Sequence, residues 1–336
     1  MPSRLSRLRS QVPDLTSAFH TFQSSSSSFS ILRTINAPNP TSVPKTLFIL
    51  DSSFNPPSRA HLELATSVFK EAKERNGGQP KYTRPWRLLL LFSTHNADKA
   101  PSAATFEQRL ALMCILAEDI IESLRNPNLT TSSSPTPVNP RQAAPDSSDP
   151  VPVDLPIDIG VTTQPYYTDK SSAIASVSSS ASTSASSSST PYPAPPNHPQ
   201  HIHLCGFDTL TRILNPKYYP TFTPPLSALD PYFAAGHGFR VTQRPDDDYG
   251  TAEHQDQFLF DLAGGAMRGV GGKEEWARQI EMVGGEEGVG ISSTRVRRAA
   301  KKGDWAEVEG LCTRGVAGWV REEGLYEGDD RGAKMA

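Results

Sequence analysis

Two segments carry side chains that can handle phosphate. The first is Asp51-Ser52-Ser53-Phe54-Asn55-Pro56-Pro57-Ser58-Arg59-Ala60-His61, directly after the apolar run Thr46 to Leu50. Its prolines fix the turn, and a following helix start offers backbone N–H groups to an anion. His61, in the first helical turn, can donate to a phosphate oxygen; taken alone, a His there is more often a cap or a surface residue. The second is Gly290-Ile291-Ser292-Ser293-Thr294-Arg295-Val296-Arg297-Arg298. Hydroxyls at a helix start cap its free amides, and the helix dipole favours a bound anion. Arg297, one turn in, adds a planar forked donor suited to phosphate. Alone, this segment also reads as an ordinary capped basic helix.

Between them lie supporting candidates, each with a plainer alternative. Gly206 and Asp208 end the run Cys205-Gly206-Phe207-Asp208. Gly206 lets a ligand approach the backbone, and Asp208 either accepts from a ribose hydroxyl or caps a helix starting at Thr209. Arg244 closes Phe239 to Arg244 as a phosphate or base contact, or as a surface Arg. Lys99, in Asn96-Ala97-Asp98-Lys99, follows an apolar strand. Tyr166 and Tyr167 are candidates to stack an aromatic ring, or to pack. His198, His201 and His203 lie close together, yet strand alternation puts only His201 and His203 on one face and supplies no third ligand, so no metal site is assigned. The three cysteines, Cys114, Cys205 and Cys312, are far apart, which excludes a disulfide scaffold and a CxxC knuckle and suits a reducing compartment. No GxxxxGK[ST] occurs, so a P-loop hydrolase is excluded.

The elements that must position these residues alternate in type. Strands are expected over Thr46 to Leu50, Trp86 to Ser93, Ile157 to Thr163, His201 to Phe207, Phe239 to Gln243 and Gln279 to Val283. Helices are expected over His61 to Glu74, Thr105 to Ile121, Asp169 to Ala175, Thr209 to Leu214 and Ser292 to Lys302, with one or two more from Trp305 to Glu323. Arg109 heads the inward face of the second of these, in a structural place. Apolar strands without strict alternation, separated by helices, imply a doubly wound, Rossmann-like parallel sheet of the α/β class. Such sheets bind ligands at the carboxyl ends of their strands.

The 336 residues hold 23 Gly and 30 Pro, and mean hydropathy is −0.44, so part of the length is linker. Ser/Thr/Pro-rich stretches at about 126–152 and 176–199 read as disordered inserts, because they bury too little to offset chain entropy. Gly264 to Gly272 reads as a surface loop. The organisation expected is residues 1–45 as an N-terminal helix and Ser-rich joint, 46–326 as one domain carrying both inserts, and 327–336 as a tail. Leu5, Leu8, Val12, Leu15 and Phe19 recur at helical spacing, although the same Arg-bearing, acid-poor stretch also fits a mitochondrial presequence.

The run SSFNPPSRAHL from Ser52 to Leu62 resembles the nucleotidylyltransferase signature GSFNP followed by [T/H]xxH, in the DSSFNPP form of a fungal subgroup of the nicotinamide mononucleotide adenylyltransferase family. The later run ISSTxxR, Ile291 to Arg297, is similar to that family's second signature, and Gly324 to Tyr326 resembles its ending. Two specific motifs about 230 residues apart, in the family's order, cover roughly residues 46–326. Two positions depart: Ser52 stands for the family Gly, where a side chain crowds a close phosphate approach, and Ser58 for Thr or His.

The resemblance implies a nucleotidylyltransferase fold and an enzyme that makes NAD and pyrophosphate from ATP and nicotinamide mononucleotide (NMN), with Mg²⁺ accompanying ATP. It gives catalytic roles to His61 and Arg297. ATP and phosphate contacts fall to Ser52, Ser53, Phe54, Ser58, Lys99, Gly206, Asp208, Ser292, Ser293 and Thr294, and NMN contacts to Asn55, Tyr166, Tyr167 and Arg244. The alternatives are a related transferase with another phosphorylated acceptor and a nucleotide-binding regulatory protein with weak or no catalysis. A net charge of −3 argues against a nucleic-acid partner, and no 18-residue apolar stretch exists to span a membrane. The cytosol is the expected compartment, with the nucleus second and mitochondria third; no motif in the sequence sets an oligomeric state.

Overall fold

Strands rich in Leu, Ile, Val and Phe on both sides need cover on both faces, and the chain supplies it by winding helices over each. The computed structural model describes residues 3–37, 43–74, 81–95, 104–126, 155–177, 192–193, 196–245, 249–285 and 290–328. In chain order the elements are α1 (Arg4–Ser24), β1 (Phe29–Ile35), β2 (Thr46–Asp51), α2 (Arg59–Glu74), β3 (Trp86–Ser93), α3 (Phe106–Arg125), β4 (Ile157–Thr162), α4 (Tyr167–Val177) and β5 (Gln200–Gly206). There follow α5 (Phe207–Ile213), α6 (Asp230–Ala234), β6 (Gly238–Thr242), α7 (Ala252–Ala263), β7 (Ile280–Val283), α8 (Ser293–Lys302), α9 (Trp305–Leu311) and α10 (Arg314–Glu322). The sheet runs β1-β4-β3-β2-β5-β6-β7. All neighbours are parallel except β1 against β4.

From β2 the chain winds outward through β3 to β4, then returns to β5 on the other side of β2 and winds the opposite way to β7. The crevice between the carboxyl ends of β2 and β5 is therefore the switch point, where ligands bind in sheets of this kind. Phe48 and Leu50 of β2 join a core cluster with α1, α2, α3 and the C-terminal helices. Leu47 and Ile49, pointing the other way, pack with Ala173 and Ile174 of α4. A third cluster gathers β5, β6 and β7 with α5, α6 and Trp276. The parallel, doubly wound expectation holds.

Three expectations change. The N-terminal 45 residues are not a separate appendage. Leu8, Leu15, Phe19 and Phe22 of α1 are core residues, and β1 extends the sheet by pairing Phe29 with Thr162 and Ile35 with Ile157. The serine run hid this strand, because the apolar residues after it are few and interrupted by Arg33 and Thr34. Second, the insert placed at 176–199 is too wide. Ser176 and Val177 finish α4, and Tyr192 is fully buried, donating its hydroxyl to Asp158 Oδ2 at 2.7 Å. Residues 127–154 and 178–191 lie outside the described residues. Third, α6 and α7 were not foreseen, and the Gly264 to Gly272 loop folds back on itself. Gly272 N–H donates to Met267 O, Gly271 takes φ +95°, and Gly272 is buried.

Asp158, at the start of β4, ties several layers together. Its carboxylate accepts from Arg87 Nε (2.5 Å) and a terminal guanidinium nitrogen (2.8 Å), from Thr34 Oγ1 (2.6 Å) and from Tyr192. Four bonds, from two strands and the end of the insert, satisfy a carboxylate that no water reaches.

Candidate active site at the carboxyl ends of the strands

The turn after β2 is built to hold one shape. Phe54 takes φ +45°, a region bulky side chains avoid, and its ring is fully buried, so packing sustains the conformation. Pro56, Pro57 and Ser58 are buried behind it. α2 then begins, and His61 folds back on the turn. Ser58 N–H donates to His61 Nδ1 at 3.0 Å, Ser58 Oγ lies at the same distance, and His61 Nε2 meets Ser52 Oγ at 2.8 Å. A backbone N–H can only donate, so Nδ1 is an acceptor and the ring proton sits on Nε2, pointing at Ser52.

α8 locks onto this elbow. Ser292 is the N-cap, accepting from Arg295 N–H at 3.2 Å. Ser293 Oγ donates to Pro56 O at 2.8 Å. Arg297 donates to Asn55 O at 2.7 Å and, through its other terminal nitrogen, to Thr294 Oγ1 at 3.1 Å. Val296, Ala299 and Ala300 bury the opposite face of the helix, and Gly303 ends it in the left-handed conformation. Tyr326, far down the chain, donates its hydroxyl to Asn55 Oδ1 at 2.9 Å. The two motifs thus meet directly, and the Gly324 to Tyr326 ending pins the same Asn55. Arg295 turns away to Glu307 at 2.6 Å.

The β5 side is placed as expected, with one correction. Gly206, not Asp208, is the N-cap of α5, so the helix starts two residues before Thr209 and Asp208 lies in its first turn. A Cβ at Gly206 would fall 2.6 Å from Asp208 Oδ1, so glycine is what lets that carboxylate fold back. Arg244 approaches Asp208 at 3.9 Å, and its backbone N–H is held by Gln255 Oε1 at 2.9 Å.

The two tyrosines separate. Tyr167 is edge-on to His203 (5.0 Å between ring centres) and to Phe239 (5.9 Å) and belongs to the packing of the third cluster. Tyr166 is 37% exposed, with Tyr219 6.2 Å away, and is the ring free to meet another. Arg109 is structural: its guanidinium lies over Phe92 and Phe106. Lys99 lies outside the described residues.

Sequence reasoning missed an ion pair at this edge. Lys170 Nζ, in the first turn of α4, bonds Asp51 Oδ2 at the end of β2, and both side chains are over nine-tenths buried. Nothing local marks Lys170 for this role, since the partner is 119 residues away. At the opposite end of β5, His198 Nε2 and His201 Nε2 are 2.7 Å apart, His201 stacks on His237 at 4.2 Å, and His203 Nδ1 meets Tyr232 Oη at 2.8 Å. Burial pushes all four imidazoles below their ordinary range, His237 down to about 4. Among the described residues no three His, Cys, Asp or Glu side chains form a metal cage, and no helix is long and apolar enough to cross a membrane.

No family model matches the chain. A Schizosaccharomyces pombe protein named "Putative nicotinamide mononucleotide adenylyltransferase" is 26% identical over 262 residues, covering 77% of this chain and 78% of the relative. Two solved structures of Plasmodium falciparum nicotinic acid mononucleotide adenylyltransferase, one complexed with NaAD and one with APC, each cover 85% of this chain and 98% of theirs. Their identities are 11% and 10%, with TM-scores of 0.41 and 0.40. Likeness at that level adds nothing to the sheet order already described. Over three quarters of both chains, then, this chain is similar to a relative named as a nicotinamide mononucleotide adenylyltransferase, and its elbow and cap, the two segments that carry that resemblance, interlock.

Proposed function

We propose that the protein joins ATP and NMN to give NAD and pyrophosphate. The observation that carries this is the clasp of Ser293 and Arg297 on the carbonyls of Pro56 and Asn55. It sets the amino ends of α2 and α8 side by side at the switch point, where a triphosphate would meet two helix dipoles. An oxygen of the NMN phosphate attacks the α-phosphorus; the new P–O bond forms as the bond to the bridging oxygen of the β-phosphate breaks, and pyrophosphate leaves. The nucleophile is an anion at neutral pH, so no general base is required, and catalysis is positioning and charge neutralisation.

In this reading the Ser52–His61 turn and the α8 amides hold the phosphates, with Mg²⁺ arriving as part of the MgATP substrate. Gly206 and Asp208 face the ribose, and Tyr166 offers the ring for the nicotinamide. Much of the clasp's own bonding is internal: Ser293, Thr294 and Arg297 are partly occupied in holding the elbow, so they shape the site as well as charge it.

The test is pyrophosphate release by the purified protein with ATP, Mg²⁺ and NMN, beside nicotinic acid mononucleotide and other phosphorylated acceptors, and with CTP replacing ATP. NMN-dependent release of pyrophosphate with formation of NAD is the expected result. Release with another acceptor alone would shift the assignment to that acceptor, and MgATP binding with no release from any acceptor would make the protein a nucleotide sensor.

A further inference from the structure

The elbow carries an arrangement that the bare motif does not describe. His61 holds one ring proton, on Nε2, because Ser58 N–H occupies Nδ1 at 3.0 Å. That single donor points at Ser52 Oγ, 2.8 Å away. Ser52 stands where the family signature has glycine, so the acceptor of the histidine's proton is a side chain peculiar to this form of the turn. The Ser52 hydroxyl, having accepted, gives its own proton to no acceptor among the described residues, and it is half-buried at the mouth of the turn rather than sealed within it.

We infer that in this protein the Ser52 hydroxyl is the donor that touches the triphosphate, and that His61 is a positioning residue acting through it. The chain of bonds is Ser58 N–H to His61 Nδ1, His61 Nε2–H to Ser52 Oγ, and Ser52 O–H to a phosphate oxygen. Each link polarises the next, because a hydroxyl that accepts a bond is a better donor. It also answers the crowding that a side chain brings to a glycine position: the serine does not block the phosphate but meets it. Relay through Ser52 needs no proton to leave the site and no change of charge during the reaction.

This inference rests on the proposed nucleotide site, and the experiment separates the two. Turnover and MgATP affinity are measured for the wild type, S52A, S52G, H61A, H61Q and the S52A/H61A double variant. With a relay, S52A, S52G and H61A each lower kcat on the order of 10²-fold, the scale of losing one preorganised donor. The double variant is then no worse than either single one, because both remove the same chain of bonds. H61Q, whose amide nitrogen can reach the Nε2 position, recovers turnover to within about tenfold of wild type, an outcome that loss of fold would not give. The inference is overturned if S52G works as well as or better than wild type, since removing the hydroxyl would then have freed His61 to bind phosphate itself. Multiplying losses in the double variant overturn it equally. If the wild type binds MgATP but transfers nothing, the reaction is wrong and the relay is read from affinity: S52A and H61A must weaken MgATP binding equally and without adding.

Discussion

Replacing Arg297 by alanine separates the clasp's two duties. Its guanidinium bonds Asn55 O at 2.7 Å and Thr294 Oγ1 at 3.1 Å. A hydrogen bond to a charged group contributes about 1.5–3 kcal/mol. The Asn55 carbonyl belongs to a residue only 8% exposed, so its loss of a partner is felt in stability. We expect a urea-unfolding free energy lower by about 2 kcal/mol, near the low end of that range because water can enter at the rim. If Arg297 also faces the phosphates, kcat falls by a further 10²–10³, equal to about 2.7–4 kcal/mol of transition-state stabilisation. The assay pairs urea titration with pyrophosphate release at saturating ATP and NMN, well below the unfolding midpoint. Arg297→Lys keeps the charge but not the fork, and should keep some turnover while still loosening the elbow. A variant that unfolds earlier but turns over like wild type would refute the phosphate role and leave Arg297 a strut. Unchanged stability and unchanged turnover together would refute the clasp.

Three further outcomes are expected. Asp158→Ala strands the Arg87 guanidinium, whose side chain is 11% exposed, and should cost about 3–5 kcal/mol in chemical denaturation while leaving the substrate KM values unmoved. Tyr326→Phe removes the donor to buried Asn55 Oδ1 and should cost about 1–3 kcal/mol, with a raised KM for NMN as the kinetic sign that Asn55 has shifted. Stability should fall on mild acidification. His198, His201, His203 and His237 are held neutral by burial, so the unfolded chain binds protons that the folded one refuses, and the stabilisation present above about pH 6.5 is lost as pH drops toward 4. For His237, held down to about 4, the slope between that value and 6.5 approaches about 1.4 kcal/mol per pH unit. A flat stability between pH 6.5 and 5 in buffered urea melts would show that these rings are protonated or solvated in the native state.

Much of the arrangement was readable beforehand for reasons internal to the chain. Apolar runs such as Trp86 to Leu91 cannot face water on either side, so they had to be covered strands, and helices between them forced a parallel sheet. The caps of α8 and the prolines of the elbow are local chemistry, and both stand where their residues put them. β1 escaped because its pairing with β4 draws on residues about 130 positions away, and its own pattern is weak. Tyr192 escaped for the same reason: its serine- and proline-rich surroundings look unable to fold, and only the buried Asp158 across the sheet gives its hydroxyl a destination.

What the amino-acid sequence determined by itself, then, was the kind of chemistry on offer: hydroxyls, an imidazole and a forked cation at two helix starts, groups that local capping and the helix dipole suit to an anion. What the tertiary structure alone decided was how those groups are engaged. His61 is turned onto Ser52 by a backbone N–H, Arg297 onto a carbonyl 242 residues away, Tyr167 into the core while Tyr166 stays out, and Lys170 onto Asp51. Hydrogen-bond partners are set by distance in space, and the winding of the sheet fixes that distance, not the spacing of residues along the chain.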